Sequence, residues 1–93
     1  MIVNKVLNIT SDDVENQKDL QILLDWKRTL QNKINELKVR LEVARKEYQT
    51  LNSEENKSIL IRTSDARNYN IAFLELLNAR IKKLRNKNGL GAV

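Results

Sequence analysis

Apolar residues recur at alternating steps of three and four along Leu20, Leu23, Leu30, Ile34, Leu37, Leu41, Ala44, Tyr48 and Leu51. The one gap in the series is Lys27. A period near 3.5 holds a single narrow stripe toward a partner helix. Pro is absent from the chain, and both glycines lie close to its end, at Gly89 and Gly91. Nothing therefore interrupts the stripe, which predicts a helix roughly 48 Å long at ~1.5 Å per residue. Such a helix cannot bury its stripe against itself, so another part of the chain, or another chain, must cover it.

The cover is predicted downstream. Asn52–Lys57 is a polar break, and Ser53 followed by Glu54 and Glu55 is a helix-start signal. Ala66, Tyr69, Phe73, Leu74, Leu77, Ile81 and Leu84 then repeat at helical spacing. The pattern predicts a second helix over 54–86, with Gly89 as its C-cap and residues 89–93 as a flexible tail. Ile59, Leu60 and Ile61 also read as a short strand, in which case Ser64 or Asp65 caps a later helix. Upstream, Thr10, Ser11 and Asp12 are N-cap candidates, and the first helix is expected over 12–51. Residues 1–11, rich in Ile and Val, are expected to form an extended arm.

A short turn at 52–53 makes the two helices antiparallel neighbours. The expected fold is all-α: an antiparallel, coiled-coil-like hairpin over 12–88 that dimerises into a four-helix arrangement. The expected register sets Leu37 against Phe73 and Ala44 against Ala66.

Composition limits chemistry. The chain has no Cys and no His. Disulfides, thiol metal sites and the commonest general base are therefore excluded. There is no Gly-rich phosphate loop. The adjacent carboxylates Asp12–Asp13 and Glu54–Glu55 sit at helix starts, where capping and the helix dipole account for them. The expectation is a non-enzymatic protein without cofactor or metal. No apolar run approaches the ~20 residues that cross a bilayer, and residues 1–26 show no secretory signal, so a cytoplasmic location is expected. The abundance of Asn, Lys and Ile suggests an AT-rich coding sequence, as in a phage or mobile-element accessory protein. No motif is specific enough to claim a family.

Two surfaces are candidates for function. A two-helix hairpin has one internal seam, so apolar residues off that seam call for a second surface. Leu20, Ile22 and Leu23 overhang the second helix, where the N-terminal arm can double back over them or a second subunit can cover them, Trp26 flanks the stripe, and Val39, Val43 and Ile71 lie away from it. They form the candidate protein interface, for a protein partner or for a second copy in a homodimer. The first function reading is accordingly a protein–protein interaction module: an adaptor, inhibitor or regulatory subunit. The second surface is basic. The net charge is +5, and residues 80–93 carry Arg80, Lys82, Lys83, Arg85 and Lys87 with no acid. With Lys27 and Arg28 they form a candidate phosphate-binding patch, and a small nucleic-acid-binding regulator is the alternative reading. No aromatic residue is interleaved, which favours backbone contact over base stacking.

Overall fold

The computed structural model describes residues 1–87. The described residues are 82% helical, and two long helices pack against each other. We label the elements β1 (Val3–Asn4), β2 (Ile9–Thr10), α1 (Ser11–Asn16), α2 (Leu20–Thr50) and α3 (Glu54–Lys87). Ile59–Ile61 is helical, inside an unbroken α3. The Gly89 cap and the 89–93 tail lie outside the described residues. The molecule measures 54 × 28 × 15 Å. The short dimension is little more than one helix diameter of ~10–12 Å, so the long pair is a slab one helix thick.

The N-terminal region differs from the expected arm. Residues 1–11 fold back on themselves as a β-hairpin, with Val3 opposite Thr10 and Asn4 opposite Ile9. The turn is built by two asparagines. Asn4 Oδ1 accepts from Leu7 N at 2.9 Å, and Asn8 takes a positive φ of 55°, a conformation Asn tolerates better than most residues. A two-stranded hairpin needs an apolar support, and this one lies on the helices. Asn4 is fully buried, and its Nδ2 donates to Asn70 Oδ1 of α3 at 2.9 Å. Asn70 Nδ2 in turn donates to Ala66 O at 2.8 Å. The two amides thus satisfy each other where an unpaired one would cost ~1–3 kcal/mol. Tyr69 donates its hydroxyl to Val3 O beside them.

The first helix is also divided. Instead of one helix over 12–51 there are two, α1 and α2, separated by Gln17–Asp19. Thr10 caps α1 in a capping box with Asp13. Asp19 then caps α2 by accepting from Gln21 N at 2.9 Å. This second N-cap, in a polar stretch, lets α1 turn its one buried residue, Val14, into the core. The break is held from outside: Gln17 O accepts from Arg80 Nε at 3.1 Å and Nη2 at 3.0 Å.

The core lies at this end, which we call the base. Val14, Leu23, Leu30, Phe73, Leu77, Ile81 and Leu84 are buried together, with Leu7, Ile9, Leu20, Leu24, Trp26, Ile34, Leu74 and Leu76 packed on them. Leu37, Leu41 and Ala44 continue the α2 stripe toward the other end, the tip. The register is shifted by roughly one turn from the expected one. Leu37 is not in the Phe73 cluster; it shares a cleft with Ala66, Tyr69 and Asn70.

Candidate interaction surfaces

The tip carries the surfaces left open. No residue of α3 from Glu54 to Tyr69 is buried. The half-buried positions there include Asn56, Leu60, Thr63 and Arg67, which follow a four–three–four spacing and lead into Asn70. The α3 side of the seam is therefore mostly polar at the tip, while α2 offers Leu37, Leu41 and Ala44. Asn56 serves the turn instead of the core: its Nδ2 donates to Leu51 O at 2.9 Å and to Glu47 O at 3.3 Å. Arg67 Nε is buried without a hydrogen-bond partner. The ion pairs among the described residues all lie within α2, namely Arg28–Asp25, Lys33–Glu36 and Arg40–Glu36. None joins the two helices.

Apolar side chains at the tip consequently face outward on both sides of the slab. On one side Val39, Arg40, Val43, Ala44 and Glu47 of α2 line a shallow groove with Ile59 and Thr63 of α3. Val39 is 61% exposed, Val43 50% and Ile59 39%. On the other side the β-hairpin overhangs a deeper cleft of about 660 Å³, with Val3, Val6, Leu37, Ala66 and Tyr69 as apolar walls. Lys5, Lys33 and Asp65 also line it. A smaller groove between Leu41, Leu60 and Ile61 adjoins it through Asp65.

The residues expected at the protein interface divide into three groups. Leu23 is completely buried in the chain's own core, and Leu20 and Trp26 pack on that core half-buried. The β-hairpin and α1 have taken up the overhang, which removes Leu23 from any outer surface. Val39 and Val43 share the groove just described. Ile22 is exposed and Ile71 half-buried, and neither lines the tip groove. Sequence reasoning missed Val3, Val6, Ile59, Ile61 and Tyr69. One signal was available: Ile59, Leu60 and Ile61 are consecutive, and three consecutive aliphatics cannot all lie on one stripe of a helix.

The basic residues also divide. Arg80 is committed to the Gln17 carbonyl, and Arg28 lies 3.5 Å from Asp25. Lys27 is half-buried, while Lys82, Lys83, Arg85 and Lys87 are exposed. The four exposed cations flank the buried Ile81–Leu84 edge. The adjacent carboxylates take capping positions: Asp13 accepts from Thr10 N at 2.8 Å, and Glu54 and Glu55 open α3.

Comparison with protein-family models, curated proteins and solved structures found no match to this chain. No helix among the described residues is long and apolar enough to cross a membrane.

Proposed function

We propose that the chain is a non-enzymatic protein-interaction module that works as an oligomer, its two hairpins completing a four-helix arrangement. The observation that carries this reading is the tip, where Val39, Val43, Ile59 and Ile61 are 39–61% exposed on a slab one helix thick. Burying apolar area yields about 25 cal/mol per Å², and no further element among the described residues covers these side chains. The cleft under the β-hairpin suits the apolar side chains of a second protein, with Lys5, Lys33 and Asp65 at its edge for polar contacts.

The nucleic-acid reading has less to support it, because Arg80 is committed to the Gln17 carbonyl within the chain. Photo-crosslinking in the host separates the two. A benzophenone side chain replaces Val6, Val43 or Lys82 in turn, and adducts are identified by mass spectrometry. Protein adducts at Val6 and Val43, with none above background at Lys82, are expected. Nucleic-acid adducts confined to Lys82 would reverse the order of the two readings.

A further inference from the structure

The tip groove carries a charge pattern that selects its occupant. Arg40 and Glu47 both line it. They stand seven residues apart on α2, about two turns and so on one face, roughly 10 Å apart along the axis. Val43 lies midway between them. Two copies related by a two-fold axis near Val43 therefore bring Arg40 of each against the opposite charge of the other. A parallel arrangement in register would instead oppose like charges. A uniformly acidic or basic partner would leave one of the two charges facing its like. Of these arrangements the antiparallel copy matches both charges, as an isologous interface requires.

We infer that two copies associate through α2, antiparallel, with Val43 near the two-fold axis and Arg40 of each chain paired with the partner's Glu47. This rests on the oligomeric reading above and specifies its geometry. Val39 and Ile59, exposed beside Val43, supply the apolar surface, and Thr63 borders the groove. Arg40 is free to make the exchange. Its present partner is Glu36, and their side chains are 61% and 46% exposed, so that pair contributes little. The cleft under the β-hairpin is lined by other residues, which leaves it open in the dimer.

A charge-reversal cycle read by sedimentation equilibrium tests the arrangement. It is run in a Glu36→Gln background, so that reversal at position 40 creates no like-charge pair within the chain. Circular dichroism checks that each variant is folded. Arg40→Glu and Glu47→Arg should each weaken the dimer about tenfold or more. The double reversal should restore most of that loss. Val43→Cys should form a disulfide between chains on mild oxidation, whereas Ile61→Cys on the opposite side should not. A dimer that shows no charge coupling and no Val43→Cys disulfide would overturn this geometry while leaving the oligomeric reading intact. A single 10.9 kDa species at all micromolar concentrations would overturn both.

Discussion

The base and the tip are made from the same two helices, yet only the base is a core. At the base, Leu23 and Leu30 of α2 meet Phe73, Leu77, Ile81 and Leu84 of α3, and the β-hairpin and α1 close over them. At the tip α2 still presents Leu37, Leu41 and Ala44, but α3 answers with half-buried Asn56, Thr63 and Arg67 beside Leu60 and the small Ala66. Helix formation does not register this difference. The residues of α3 from Glu54 to Tyr69 are as helical as those that follow, because local propensity and capping fix the backbone. Burial depends on what lies opposite. Stability is therefore concentrated at one end of a molecule whose secondary structure is uniform.

Four substitutions test that contrast. The largest effect is expected at the base. Leu77→Ala removes a fully buried side chain and should cost ~3–5 kcal/mol, within the range for such truncations. Leu41→Ala, at the tip, should cost less than half as much in the same urea titration. Equal costs would mean that the tip is packed as well as the base. Next comes the polar clasp. Asn70→Ala strands the Asn4 amide and should cost ~1–3 kcal/mol, with faster hydrogen exchange in the β-hairpin. A loss confined to α3, with the β-hairpin still protected, would show that the clasp does not hold it. The smallest effect has the opposite sign. Arg67→Met removes a buried donor that has no partner and adds apolar surface to the seam, so it should stabilise by ~0.5–1 kcal/mol. A lower melting temperature for Arg67→Met would show that the polar seam is not what weakens the tip.

The sequence makes these two ends legible to different degrees. The α2 stripe and the polar turn at 52–53 follow from spacing alone, whereas Ile59–Ile61 reads as helix or as a short strand until the structure shows it inside α3. The α1–α2 break does not, because Asp19 reads equally well as an exposed helical residue until Arg80 engages the carbonyl beside it. The β-hairpin was similarly hidden. Its strands are two residues each, and its anchor, Asn4–Asn70, joins positions far apart in the chain. Of the interface candidates, Val39 and Val43 could be read because they sit off an otherwise regular stripe. At Leu23 the pattern leaves the cover open between the N-terminal arm and a second subunit, and the β-hairpin and α1 of the same chain supply it. Spacing puts Tyr69 in the seam, whereas Asn70 is the buried residue there, hydrogen-bonded to the buried Asn4 amide, and Tyr69 lies outside it.

The position of the core has a consequence for how the chain folds. Residues flanking the turn are close in sequence and cheap to bring together, since loop-closure cost rises with loop length. In this hairpin those cheap contacts are the polar ones. The rewarding contacts, Leu23 and Val14 with Ile81 and Leu84, span most of the chain. A hairpin that might have zipped from its turn must instead search for its far ends first. High contact order slows such a search, and an all-helical protein of this size would accordingly fold at a pace more typical of a mixed α/β domain.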